Sequence, residues 1–300
     1  MPLRRLLRAS VPAARLEAVA EEVVRRYGGS SATFEKLEAD NWLSVPLVVD
    51  DRWFVKVIAD QHTLLHGVLT AGRNLGARSS GREGFFEHFS TPVEMADHEL
   101  EATRAMRELG VDAPEPLAAF EHDGLGVVVL EYLPSFRTLD ELSTEEISAL
   151  APTLFGHLSR MHGADLAHGD LRAENVLVAP DGTGEVGEVG EVGDPDKTGD
   201  PDKTGDPSEV GDAGDPGEET LYFIDATRVQ AIEDARAYDL ACALASLSPH
   251  VGADAAVDAA REQYPATALG AAAEFLDFVS LRPDHDFETA AVREAIERAG

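Results

Sequence analysis

The sequence predicts an α+β fold with strands concentrated before residue 134 and helices after it. Three observations carry this. Apolar runs of strand length fall at about 32–38, 44–49 and 52–58, and again between 116 and 134. Apolar stripes at helical spacing occupy 94–109, 143–161 and most of the chain beyond 238. Within the second regime a short polar loop at 168–175 runs straight into an apolar strand. With 300 residues, 44% of them apolar, the chain can bury a substantial core as one large domain or as two lobes.

In chain order, residues 3–27 place Leu3, Leu7, Leu16, Val19 and Val23 near helical spacing; Pro12 breaks the run and Gly28-Gly29 ends it. Of the three strand-like runs that follow, the last two are joined by a turn at Asp50-Asp51. The third, Arg52 to Ile58, holds Lys56 among apolar residues. A polar face on an amphipathic strand would account for a lone lysine. This chain, however, has four lysines against 21 arginines, and arginine supplies its ordinary surface charge. Lys56 is therefore read as functional, because a compact ammonium reaches phosphates where a guanidinium fork does not fit.

Residues 60–92 contain Gly72, Gly76, Gly81 and Gly84 with Ser79-Ser80, and are expected to form a mobile loop. No Gly-Lys-Ser/Thr follows to make a Walker motif. His62, His66, His88 and His98 lie in or beside this stretch, scattered rather than converging as zinc ligands would. A helix over about 94–109 then aligns Met95, Glu99, Ala102, Met106 and Leu109 on one face. Glu99 thus stands in an inward stripe, and a buried carboxylate requires a cation. Lys56 is the expected partner; the alternative places Glu99 at the boundary and gives Lys56 to Glu94 or Glu101.

After Pro114 and Pro116 come two strands, the second ending Val129-Leu130-Glu131-Tyr132-Leu133-Pro134, a run that would expose backbone groups to a planar ligand edge. Ser143-Thr144-Glu145-Glu146 is a capping box, opening a helix with Leu150, Leu154, Leu158 and Met161 as its core stripe. The helix leads to His168-Gly169-Asp170-Leu171-Arg172-Ala173-Glu174-Asn175 and the strand Val176–Val178. A second apolar run, Leu221 to Ile224, ends on Asp225. Pairing these runs as an antiparallel hairpin brings Asn175 and Asp225 to the same end, two oxygen donors for a hard cation that also grips phosphate. Residues 181–219 interrupt the hairpin with Gly-Glu-Val and Gly-Asp-Pro-Asp-Lys-Thr repeats, 14 acidic residues and two lysines. Poor in large apolar groups, this tract is expected to be a disordered insertion at the turn, where each doubling of loop length costs only about 0.6 kcal/mol. A helix from Tyr238-Asp239 and two more at about 253–280 and 286–299 finish the chain.

The formal net charge of −31 argues against a nucleic-acid-binding surface. Its acidity and scarcity of lysine resemble proteins of salt-accumulating halophilic archaea. No apolar run is long enough for a membrane span, and Met1 to Arg8 is too arginine-rich for a signal peptide, so a cytoplasmic protein is expected. The single cysteine, Cys242, excludes an internal disulfide and reads as a small core residue.

The order Lys56, Glu99, an apolar strand into Glu131, His168-x-Asp170-x4-Asn175, Asp225 and Asp239 resembles the protein-kinase-like superfamily over about residues 30–250, most closely its RIO-type and related reduced atypical branch. The resemblance implies a bilobal kinase-like fold with a small antiparallel-sheet N-lobe and a mostly helical, reduced C-lobe. Its divisions would be a helical extension at 1–29, the N-lobe at 30–130, a hinge at 131–134 and the C-lobe at 135–300. It implies ATP and Mg²⁺ as cofactors. Lys56 would hold phosphates and pair with Glu99, Asp170 would be the catalytic aspartate, and Asn175 and Asp225 the Mg²⁺ ligands. Asp239 would brace the catalytic loop, and the backbone of Glu131 and Leu133 would bind adenine.

The departures bear on the acceptor. Glu38 to Ser44 stands where a glycine-rich loop belongs, and the metal motif reads Asp225-Ala226-Thr227. No Ala-Pro-Glu follows, so there is no full activation segment to present a peptide. The expected function is a RIO-like serine/threonine kinase. The alternatives are a small-molecule phosphotransferase of the aminoglycoside or choline type, whose loop also begins His-Gly-Asp, and a nucleotide-binding scaffold or slow ATPase switch. The acceptor, a protein serine or a small-molecule hydroxyl, is not legible.

Overall fold

The computed structural model describes residues 11–29, 31–37, 43–79, 89–180, 219–226, 229–230, 233–282 and 284–300. The 181–218 part of the acidic insertion, Glu38 to Trp42 of the glycine-loop region, Thr227 and His88 lie outside them. Among the described residues the order begins with helix α1 (Ala13–Arg26), then strands β1 (Phe34–Lys36), β2 (Val45–Val49) and β3 (Trp53–Ile58), helices α2 (Asp60–Ser79) and α3 (Pro92–Glu108), and strands β4 (Pro116–His122) and β5 (Leu125–Glu131). These five strands form one antiparallel sheet in the order β1-β2-β3-β5-β4. Its tight turns use residues tolerant of positive φ, Asp50-Asp51 between β2 and β3 and Asp123-Gly124 between β4 and β5. Asp50 adds a side-chain anchor, its Oδ1 accepting from the Thr33 amide at 2.7 Å.

Strand alternation decides what each face of the sheet meets. Val45, Leu47, Val49, Val55, Val57, Val127 and Val129 point to one side, where Leu16, Val19, Ala20, Val23 and Val24 of α1 cover them. Ile58, Val128 and Leu130 point to the other and pack on Ala96 and Leu100 of α3. Lys56 shares the parity of Phe54 and Ile58, so it faces α3. The start of α3 sits so close to β5 that a Cβ at Gly126 would lie 2.1 Å from the carbonyl oxygen of Pro92. Thr91 caps that helix, with Glu94 completing a capping box that includes Glu94 N–H to Thr91 Oγ1 at 3.2 Å. Glu94 is thereby committed to the cap.

The second lobe runs through β6 (Arg137–Thr138), α4 (Thr144–Gly163), β7 (Leu166–Ala167), β8 (Val176–Pro180), β9 (Glu219–Phe223), β10 (Val229–Gln230), α5 (Glu233–Val251), α6 (Ala253–Arg261), α7 (Ala266–Ala273), α8 (Leu276–Val279) and α9 (Thr289–Ala299). Ser143 caps α4 as its sequence requires. Every residue of α5 from Ala237 to Leu247 is buried, the pattern of a helix enclosed by neighbours. The hairpin is formed: β8 pairs with β9 from Val176↔Phe223 to Pro180↔Glu219.

Two expectations are corrected. Residues 60–79, read as part of a mobile loop, form helix α2, whose inward stripe is His62, Thr63, His66 and Thr70. These described buried residues are polar with short apolar bodies, which a search for aliphatic periodicity does not register, and the glycines mislead. The helix expected over 253–280 is divided into α6, α7 and α8, with Pro265 as the N-cap of α7.

Candidate active site

The site is built where the sheet lobe meets the helical lobe. Lys56, buried on the α3 side of β3, places Nζ 2.5 Å from Glu99 Oε1 and also contacts Asp225 Oδ1. Glu99 projects from the middle of α3, whose backbone there is tied by Thr103 Oγ1 donating to the Glu99 carbonyl at 2.9 Å. Burial works against the Lys56 charge, but Asp225 and Glu99 outweigh it and hold the ammonium above its ordinary range. Burial pushes the Glu99 carboxyl up; Lys56 relieves this only in part, and Asp225 adds to it.

The loop that carries Asp170 is fixed from α5. The Asp239 carboxylate, fully buried, accepts the amides of His168 at 2.5 Å and Gly169 at 2.8 Å. His162 Nε2 lies 3.3 Å from Asp239 Oδ2, and Tyr264 OH lies 2.8 Å from His162 Nδ1, extending the brace to the α6–α7 connection. Gly169 has φ +81°, a conformation open to glycine, and it turns the chain so that Asp170 leaves the buried strand. His168 packs edge-on against Phe223, and burial keeps its ring neutral by lowering its pKa. Its Nδ1 accepts the Asp170 amide at 3.3 Å.

Asn175 ends a 3-10 turn, Ala173–Asn175, at the mouth of the hairpin. Its Nδ2 donates to the Asp170 carbonyl at 2.8 Å, and its own carbonyl accepts the Ile224 amide at 3.0 Å. The hairpin register therefore sets Asn175 beside the residue preceding Asp225. Asp225 itself has φ +60°, a strained value for a non-glycine residue and one that clusters at functional sites. These donors fit Mg²⁺. The amide nitrogen of Asn175 is engaged by the Asp170 carbonyl, so its side-chain oxygen is the atom a cation could use, and Glu99 and Asp225 place two carboxyl groups around the Lys56 ammonium. Mg²⁺ is commonly held by one or two protein oxygens, with water and phosphate completing its shell. Among the described residues no group of three or more His, Cys, Asp or Glu side chains forms a further metal cluster.

Glu131 ends β5 opposite Trp53 of the Lys56 strand. Its amide bonds to the Glu115 carbonyl at 2.9 Å, and its carboxylate accepts the Glu115 amide at 3.0 Å. The Tyr132 amide bonds to the Arg52 carbonyl at 3.2 Å, so the segment leading to Leu133 is held against the sheet. The structure thus groups Lys56, Glu99 and Asp225, links Asp170 to Asn175 and Asn175 to the Asp225 segment, and sets Glu131 and Leu133 at the strand end. Sequence reasoning missed Arg282, whose Nη2 lies 2.9 Å from Asp170 Oδ1. Its nearest signal was an arginine beside Asp284 and Asp286.

A family model for the RIO domain matches residues 85–184, which include α3, β5 and the His168–Asn175 loop. Among solved structures, the Rio2 kinase–ADP/Mg²⁺–phosphoaspartate complex from Chaetomium thermophilum is 16% identical with a TM-score of 0.47, over 96% of this chain and 77% of that one. A second structure of Rio2 kinase from the same organism has the same identity and TM-score and is covered to 79%. The C20A mutant of the Mycobacterium tuberculosis PknI kinase domain is 14% identical with a TM-score of 0.39, over 90% of this chain and 96% of that one. No curated protein matches. No helix among the described residues is long and apolar enough to cross a membrane. The RIO domain match, over residues 85–184 and so one third of the chain, together with the mixed α+β architecture and the residue order described above, supports a protein-kinase-like family of the RIO type.

Proposed function

We propose that this protein is an ATP- and Mg²⁺-dependent phosphotransferase, an atypical serine/threonine kinase acting in the cytoplasm. The observation that supports it most is the grouping of Lys56, Glu99 and Asp225 at the lobe junction, beside a loop that presents Asp170 and Asn175. Glu99 holds the Lys56 ammonium where it can grip nucleotide phosphates. The strand end at Glu131 and Leu133 offers backbone groups to adenine. Asn175 and Asp225 would hold Mg²⁺, which when bound neutralises phosphate charge. Asp170 accepts the hydrogen bond of an acceptor hydroxyl and orients its oxygen in line with the γ-phosphate. Asp239 fixes the loop through two amides, so the site is organised before substrate arrives. A protein serine is the favoured acceptor, on the RIO-type assignment.

Labelled ATP given to the purified protein at high KCl, with and without cell extract, shows whether the γ-phosphate reaches protein, metabolite or water. Asp170→Asn keeps size and one oxygen but loses the charge, so transfer is expected to fall by roughly 10²–10⁴-fold with little change in ATP affinity. Asp225→Ala is expected to weaken Mg²⁺-dependent ATP binding itself. An Asp170→Asn variant that transfers at the wild-type rate would mean the pocket binds nucleotide without Asp170 chemistry, the behaviour of a scaffold or switch.

A further inference from the structure

A cation from outside every kinase-like motif reaches the catalytic loop. Arg282 follows α8 and is only 9% exposed at its side chain. Besides its bond to Asp170 Oδ1, its Nε donates to Asp284 Oδ1 at 3.1 Å, Nη2 contacts Asp284 Oδ2, and Nη1 donates to Tyr238 OH at 2.5 Å. Each edge of the guanidinium is thus occupied, and the plane of the group is fixed by three partners on three segments. Burial opposes the charge, but Tyr238, Asp170 and the other groups around it hold Arg282 firmly protonated. Tyr238 immediately precedes Asp239 on α5. One helix therefore positions the backbone of the catalytic loop through Asp239 and, through Tyr238 and Arg282, the side chain of Asp170.

We propose that Arg282 is a positioning residue for phosphoryl transfer, holding one oxygen of Asp170 so that the carboxylate keeps the single orientation in which it receives the acceptor hydroxyl. The inference rests on the reading of Asp170 given above. A carboxylate on a loop can rotate about χ1 and χ2, and a displacement of about 1 Å at the reacting group can cost on the order of 100-fold in rate. The Asn175 amide restrains only the Asp170 carbonyl, and the Asp239 carboxylate only the two preceding amides. Arg282 hydrogen-bonds the side chain itself at Oδ1, while Arg172 Nε lies 3.9 Å from Oδ2, beyond hydrogen-bond distance. A lysine would keep the charge but could not span Asp170, Asp284 and Tyr238 together.

The test uses the full chain with Arg282→Met and Arg282→Lys, each in the wild-type and Asp170→Asn backgrounds. Transfer rate, ATP affinity and thermal unfolding are measured on all of them. Arg282→Met is expected to lower kcat at least about tenfold with ATP affinity nearly unchanged, and Arg282→Lys to fall between it and wild type. In the Asp170→Asn background the same Arg282→Met change should cost little further rate, because the group it positions is already lost. Added guanidinium ion should restore part of the rate to Arg282→Ala. A folded Arg282→Met protein with wild-type kcat overturns the proposal, as does an equal fractional loss in both backgrounds, which is what a purely structural tie between α8 and α5 produces. If Arg282→Met does not fold, Tyr238→Phe removes one anchor of the guanidinium at nearly constant volume, and a wild-type kcat there is equally fatal. A wild-type protein that transfers to no acceptor overturns the phosphotransferase reading as well, an outcome distinct from active wild type with indifferent Arg282 variants.

Discussion

Lys56 shows how one residue became legible. Scarcity of lysine singled it out, and strand parity then aimed it: on β3 it alternates with Phe54 and Ile58 toward α3, where Glu99 was already expected to need a cation. Both inferences used only composition and periodicity, and the buried contact joins them. A Lys56→Ala protein is therefore expected to lose at least tenfold in ATP affinity while remaining folded, since Glu99 can take up a proton and Asp225 retains some solvent contact. Titration of the folded variant with nucleotide checks it, and unchanged affinity removes Lys56 from the phosphate site. Arg282 was illegible for the converse reason. Arginine is the common cation of this chain, so its presence near Asp284 carries no signal, and its partner lies 112 residues away in sequence.

At the scale of elements, legibility followed the kind of residue that carries the periodic stripe. The hairpin was found because Val176–Val178 and Leu221–Phe223 are aliphatic and aromatic on both sides of an unrelated tract, and the pairing Val176↔Phe223 follows from them. Helix α4 was found from its cap and its Leu154, Leu158 and Met161 stripe. Helix α2 was not; the buried side chains described in it are those of His62, Thr63, His66 and Thr70. Nor did the sequence disclose why Gly126 interrupts β5, where valines and leucines prevail. The reason is packing between elements: α3 approaches the strand too closely for any side chain. Gly126→Ala is thus expected to destabilise the fold by about 1–3 kcal/mol, the usual cost of overpacking, and to move the start of α3 away from the sheet. Because Glu99 rides on α3, ATP affinity should fall with stability in this variant. Denaturant unfolding with the wild type as reference decides it: equal midpoints would mean that α3 yields freely and does not fix Glu99 through this contact.

For the whole molecule, the charge balance was plain in the sequence, but the protonation behaviour of the fold was not, because it depends on which histidines are enclosed. His157, His168 and His285 all have pKa values lowered chiefly by burial. His285 is the clearest case, brought down to about 4 by burial and then by the Arg282 charge, with its chain neighbour Asp284 and, from the 168–175 loop, Asp170 opposing and Arg172 assisting. Above about pH 6.5 the ring is neutral in both folded and unfolded chains, and its contribution to stability is constant. Between about 6.5 and 4 the unfolded chain takes up a proton that the folded chain refuses, so stability falls as pH falls and levels off below 4. The slope from this residue is at most about 1.4 kcal/mol per pH unit, or roughly 3 kcal/mol across the window. Glu99 acts with the opposite sign, since its raised carboxyl takes up a proton in the folded state first. Comparing wild type with His285→Gln cancels that contribution. The variant is expected to lose less stability than wild type between pH 7 and pH 5, whatever its stability at pH 7. Thermal or denaturant unfolding at both pH values measures the difference, and parallel losses in the two proteins would show that His285 is not held neutral by the fold.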